Sequence, residues 1–204
     1  MHATEQALAI SLPGNPDHPG AWFFRQRSWL PVPLALALLA ATPAGDHGSL
    51  LQVAGLALAV GGEGLRLWAV RHIGVISRTR SQRTGPLIVS GPYAWIRNPL
   101  YLGNWFLWNG VAVFSGVTWM LPLVWMTFVF IYANIQAWEE ILMLQRQPAY
   151  ATYLRETPAW IPVRRGSAAA GVLARFDWRD VLFWERGSLL ALLAMLALLT
   201  WRQW

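Results

Sequence analysis

The stretch from Asn98 to Trp138 contains no Asp, Glu, Lys, Arg or His. A single helix of roughly 40 residues would be about twice what the hydrocarbon core of a bilayer requires. The run must therefore fold back on itself, and Ser115-Gly116 is its natural break. This predicts a helical hairpin with spans over 98–114 and 118–138. Only 13% of the chain is charged and 55% is hydrophobic, too few charges to cover a water-facing surface. The same composition excludes disorder, which needs low hydrophobicity.

Three more apolar stretches complete the pattern. Gly48 to Val70 is interrupted only by Glu63 and Arg66, and Trp29 to Gly45 carries Pro31 and Pro33 where a helix start tolerates proline. Gly187 to Trp201 reaches spanning length when Val181–Trp184 join it. The expected fold is all-α: a polytopic membrane helix bundle of about five transmembrane helices. All basic residues are arginine, and all but Arg66 and Arg202 fall in segments 1–28, 71–97 and 139–186. Five spans put those segments on one side, which the positive-inside rule makes cytoplasmic. Anionic lipid accounts for the net charge of +6, and the arginines have no nucleic-acid-binding framework around them. No apolar core follows a basic start in the first twenty residues, so no cleavable signal is expected. Residues 1–28 read as an interfacial segment, 29–165 as the core, and 166–204 as a C-terminal extension carrying the fifth span.

Little conventional chemistry is available. There is no cysteine, and His2, His18, His47 and His72 lack ligand spacing, so no metal is expected. No nucleophile elbow of the G-x-S-x-G type occurs. Glu63 and Arg66 share a helix face and read as a neutralising structural pair in preference to a pocket lining. Gly55, Gly61, Gly62 and Gly64 suit close helix packing, and without a preceding strand they make no dinucleotide fingerprint.

Two segments carry more information. Residues 87–103 pass through a Gly91-Pro92 turn into Arg97-Asn98-Pro99, with Pro99 fitting the first turn of a helix. That helix start offers free N–H groups to an anionic group, and Tyr101, Trp105 and Trp108 follow along one face. The other segment is Glu139-Glu140, where two acids at a helix end would oppose its dipole. The helix should therefore continue to about Gln147, before Pro148. Adjacent residues point roughly 100° apart, so one carboxylate can face a pocket while the other pairs with an arginine.

Taken in order, Gly91-Pro92-Tyr93, Arg97-Asn98-Pro99-Leu100-Tyr101-Leu102-Gly103, Glu139-Glu140 and Tyr150…Tyr153…Pro158-Ala159-Trp160-Ile161-Pro162 resemble the isoprenylcysteine carboxyl methyltransferase and phospholipid methyltransferase superfamily. The ordered resemblance covers about residues 71–165. It implies a membrane enzyme that uses S-adenosyl-L-methionine at the cytoplasmic face of a prokaryotic cytoplasmic membrane. It also implies a cofactor site of Leu87, Ile88, Tyr93, Arg97, Asn98, Pro99, Tyr101, Gly103 and Glu139. Glu140 is the expected base for a protic acceptor, and Ile135 and Trp105 are the expected substrate contacts. Asn98 replaces the family's histidine and cannot carry a proton. Ile135 replaces the arginine that serves the substrate carboxylate in prenylcysteine enzymes. The expected acceptor is thus a lipophilic molecule dissolved among membrane lipids, methylated at N, S or a neutral O. The alternatives are a membrane NADPH-dependent sterol or steroid reductase, or a non-catalytic membrane subunit of the same fold.

Overall fold

A computed structural model describes residues 18–44, 48–75, 85–163, 166 and 171–202. Among them run seven α-helices: α1 (Pro19–Gln26), α2 (Val32–Ala40), α3 (Ser49–Ile73), α4 (Pro99–Phe114), α5 (Leu121–Arg146), α6 (Tyr150–Glu156) and α7 (Trp178–Arg202). The fold is an all-helical membrane bundle. The hairpin turns where expected: α4 ends at Phe114, and Gly116 takes φ +75°. α5 runs to Arg146 with Gln147 as its cap, which leaves Glu139 and Glu140 inside the helix.

Three stretches, Ser49–Ile73, Thr118–Arg146 and Trp178–Arg202, are long and apolar enough to cross a membrane. The other two apolar stretches of the sequence form shorter helices. α2 has nine residues and α4 sixteen, about 14 and 24 Å at 1.5 Å per residue, against a hydrocarbon core of about 30 Å. α2 is short because its sequence stops it. Ala41 is extended at ψ 141°, and Thr42 precedes Pro43, whose ring disfavours a helical predecessor. The last span is longer than its apolar run, because Arg179, Asp180, Glu185 and Arg186 are all helical within α7. The expected interfacial segment lies within the described residues only from residue 18. There α1 lays Ala21 and Phe24 against Trp138 and Leu142 of α5.

The closest packing is between antiparallel α3 and α4. Methyl groups on Gly55 or Gly110 would strike the facing backbone of Phe114 or Ala59, and one on Gly103 would fall 2.8 Å from the Gly62 carbonyl. The two glycine pairs, Gly55/Gly110 and Gly62/Gly103, repeat every seven residues. They let the helices approach to backbone contact, which packs where lipid supplies no hydrophobic drive. At one end of the bundle Arg202 of α7 donates to the carbonyls of Leu38, Leu39, Ala41 and Ser115. These are orphan acceptors around the end of α2 and the hairpin.

The chain between α3 and α4 shapes the opposite end. Ile88 pairs with Val172 in an isolated parallel bridge, and Gly91–Ala94 forms a 3-10 turn. Gly91 has φ +59°, and a side chain there would collide with the His72 ring. Nδ1 of His72 lies 2.8 Å from Ser90 Oγ, which donates to the Ala174 carbonyl.

The seam makes a paired prediction. A Cβ on Gly62 would meet Leu107 N at 2.5 Å and Gly103 O at 2.6 Å, whereas one on Gly61 meets nothing within 4 Å. Gly62→Ala should lower the stability of the detergent-purified protein by about 2 kcal/mol through overpacking. Gly61→Ala should leave it unchanged or raise it by up to about 1 kcal/mol, the helix propensity gain. Thermal unfolding of the two variants side by side decides the matter.

Candidate active site

The two acids of α5 point in different directions and do different work. Glu140 Oε1 accepts from Nε and Nη2 of Arg97 at 3.1 and 2.8 Å and from Nε2 of Gln136 at 2.9 Å. Arg97 Nη1 in turn donates to the carbonyls of Leu154 and Thr157 at 2.9 and 2.6 Å. This ion pair ties the lead-in of α4, the middle of α5 and the end of α6 into one unit. Glu139 turns the other way: its Oε2 accepts from the Tyr101 hydroxyl at 2.6 Å.

Behind α6 the chain folds over these residues. Arg97 N donates to the Pro158 carbonyl and Asn98 Nδ2 to that of Ala159, at 2.9 and 3.2 Å. The tail thereby brings Trp160 to 6.4 Å from the Tyr101 ring and 5.5 Å from Phe128. Tyr132 lies 4.6 Å from Tyr101 and accepts from Asn104 at 2.8 Å. Tyr101, Phe128, Tyr132 and Trp160 thus form an aromatic wall beside the Tyr101–Glu139 bond.

Tyr93 lies on the other side of that bond. Burial pushes its phenol well above the ordinary tyrosine value, and Tyr153 and the Glu139 carboxylate push the same way. It is therefore a neutral hydroxyl. Its Oη is buried with no hydrogen-bond partner among the described residues, although its backbone carbonyl accepts from Tyr153 Oη at 2.7 Å. A buried, unsatisfied donor beside a carboxylate is costly unless a ligand completes it.

A cavity of about 640 Å³ reaches Tyr101. Its polar end is lined by Arg27, Arg66, Tyr101, Asn104, Tyr132, Glu185 and Ser188, and the rest by apolar residues of α2, α4 and α7, Trp108 among them. Arg66 Nη1 binds Glu63 Oε2 at 2.9 Å, and its Nη2 binds Glu185 Oε2 at 2.9 Å and Ser188 Oγ at 3.2 Å. Glu63 and Arg66 are joined as a neutralising pair, and Arg66 also lines the cavity.

The structure brings Tyr93, Arg97, Asn98, Pro99, Tyr101, Glu139 and Glu140 to one end of the bundle and puts four expected residues to other uses. Glu140 is committed to Arg97, so the geometry does not offer it as a free base. Gly103 belongs to the α3–α4 seam, its missing side chain leaving room for the Arg66 stem. Trp105 packs on Trp125 and Phe128, and Trp108 lines the cavity in its place. Ile135 is wholly buried among Tyr101, Phe128, Tyr132 and Trp160, apolar beside the wall but off the cavity surface. Ile88 packs on Tyr93 and Ala69, whereas Leu87 packs on Val89, Tyr150 and Tyr153.

Sequence reasoning missed Tyr132, Trp160 and Glu185. Tyr132 is two helical turns before Glu139 and was visible as a polar group in an apolar run. Glu185 becomes an intramembrane acid once α7 is started at residue 178. Trp160 carries no signal outside its motif.

The phospholipid methyltransferase family matches residues 50–147. Among curated proteins, the chain is 28% identical over 112 residues to the cobalt-zinc-cadmium resistance protein CzcN of Cupriavidus metallidurans, covering 55% of this chain and 48% of that protein. It is 26% identical over 97 residues to the nickel-cobalt-cadmium resistance protein NccN of Alcaligenes xylosoxydans xylosoxydans, covering 48% and 43%. The matched stretch thus spans about half the length of either relative. No solved structure matches the chain.

The bracket around Arg97 has a measurable consequence. Glu140→Gln should loosen residues 150–162, because a charge-assisted contact of about 2 kcal/mol no longer positions Arg97 on Leu154 and Thr157. Hydrogen exchange should rise there in Glu140→Gln and stay at the wild-type level in Glu139→Gln.

Proposed function

We propose, on the premise that residues 50–147 of this integral membrane protein belong to the phospholipid methyltransferase family, that it transfers a methyl group from S-adenosyl-L-methionine to a lipophilic acceptor dissolved in the bilayer. The observation that carries this reading is the Tyr101–Glu139 hydrogen bond. On one side of it are Tyr93, Asn98 and Pro99 of the family motif; on the other is a cavity lined mainly by apolar side chains.

The residues fit such a cofactor by the chemistry they leave open. Tyr93 supplies a buried donor without a partner among the described residues, and Glu139 supplies a carboxylate for a cationic amine. Bound there, the cofactor would supply an electrophilic methyl carried on sulfur. The aromatic wall borders the site, and the chain orients the acceptor for in-line approach. A protic acceptor releases a proton as it takes up the methyl. Tyr101 Oη faces the cavity with Glu139 Oε2 2.6 Å behind it, so this pair is placed to receive that proton. At the polar end of the cavity Arg66 already holds the carboxylates of Glu63 and Glu185, which argues for N, S or neutral O as the methylated atom. We take 29–165 as the enzymatic core. The end of the bundle bearing Arg71, Arg97, Arg146, Arg155 and Arg186 is read as cytoplasmic.

Calorimetry with S-adenosylhomocysteine should show binding to the wild type and a loss of ten- to a hundredfold in Glu139→Gln, the ~1.5–3 kcal/mol of a hydrogen bond to a charged group. Wild-type protein should also transfer labelled methyl to a native membrane extract. Undiminished binding in the variant would remove Glu139 from the site, and no binding by the wild type would end the methyltransferase reading.

Orientation has its own check, because the chain has no native cysteine. In intact cells a membrane-impermeant maleimide should label Trp119→Cys, whose parent residue is 58% exposed at the hairpin end. Arg155→Cys should react only after permeabilisation. External labelling at 155 reverses the assignment.

A further inference from the structure

One wall of the cavity lies outside residues 50–147. α7 supplies Glu185, Ser188, Ala191 and Met195, and α2 supplies Val32 and Leu39. These two helices are clasped at one end by Arg202. Towards the other end the wall is open: Val32 is 40% exposed, and Gly187, Ala191 and Ala194 are exposed along the α7 side. In a bilayer that flank meets lipid, and its small side chains leave the way into the cavity clear.

The cavity is polar at one end only. Away from that end, Leu39, Val111 and Leu198 offer nothing but apolar contact. At the polar end Arg66 already holds two carboxylates, those of Glu63 and Glu185. The other cation on the wall, Arg27, stacks 3.9 Å over the Phe24 ring and donates to its carbonyl. A carboxylate or phosphate head would bring a further negative charge up to the two on Arg66, at a site where screening is weak. A neutral head that can both donate and accept meets Ser188, Asn104, Tyr132 and Glu185 without that cost. The volume, about 640 Å³, suits one small ligand or one hydrocarbon chain.

We propose that this groove takes a single hydrocarbon chain sideways from the bilayer, its uncharged hydroxyl head against Glu185 and Ser188. α7 thereby selects the acceptor presented to Tyr101. Only the fate of the head rests on the methyltransferase reading; binding itself does not.

The test uses full-length Ala191→Cys in phosphatidylcholine nanodiscs, without cofactor. Leu190→Cys is the control, its parent residue 64% exposed and off the cavity wall. 1-Tetradecanol should slow maleimide reaction at position 191 at least tenfold and leave position 190 unchanged, while tetradecanoate protects neither. Ala194→Cys repeats the measurement from the next turn if the first variant purifies poorly. No protection at 191 or 194 overturns the groove, and equal protection by tetradecanoate overturns the neutral head. Protection by tetradecanol together with no S-adenosylhomocysteine binding keeps the groove and removes the methyltransferase reading. The reverse pair keeps that reading and removes the groove.

Discussion

Burying an arginine with two glutamates inside an apolar bundle costs several kcal/mol per ion unless the charges reach one another in good geometry. In this chain that geometry is set by backbone contact between α3 and α4. The absence of a side chain at Gly103 leaves the space through which the Arg66 stem passes, and Arg66 then bonds Glu63 on its own helix and Glu185 on α7. The seam therefore positions two things at once: the hairpin relative to α3, and the C-terminal helix relative to both. Without the close approach the guanidinium would be displaced into the cavity and α7 would lose its polar anchor.

The cavity exists because the remaining helices cannot follow suit. α2 is stopped after nine residues by its prolines, too short to cover the flank of α4, and α7 meets it in the cluster of Leu34, Leu38, Met195 and Leu199 and at the Arg202 clasp. The small faces of Gly187, Ala191 and Ala194 do not fill the gap. Tight packing on one side of α4 and poor coverage on the other give a helix whose polar N-terminal turn borders a lipid-accessible space. That pairing suits a reaction between a polar cofactor and an apolar acceptor.

Much of this was legible in the sequence, wherever the signal was local. The hairpin break follows from Ser115-Gly116 and the absence of charge around it. The continuation of α5 past Glu139-Glu140 follows from the dipole argument, and the use of Gly55 and Gly62 in packing follows from their residue type. The length of α2 was not legible. Apolar composition says where a helix is permitted in lipid, but Pro31, Pro33 and Pro43 decide where α2 begins and ends. Nor could the sequence assign the two glutamates their separate partners. Both face away from lipid within roughly 100° of each other, and the residue that distinguishes them, Arg97, is 43 positions away. Glu185 stayed hidden because the charged residues before it made α7 look shorter than it is.

The separation of those two carboxylates also explains why the acids are adjacent. Residues 157–162 fold over the start of α4, where Arg97 N and Asn98 Nδ2 donate to the Pro158 and Ala159 carbonyls. Arg97 holds them through the Leu154 and Thr157 carbonyls, and Glu140 holds Arg97. Glu139, one residue earlier on the same rigid helix, holds Tyr101. The placing of the tail and the placing of Tyr101 thus rest on neighbouring residues of one helix, each through its own carboxylate.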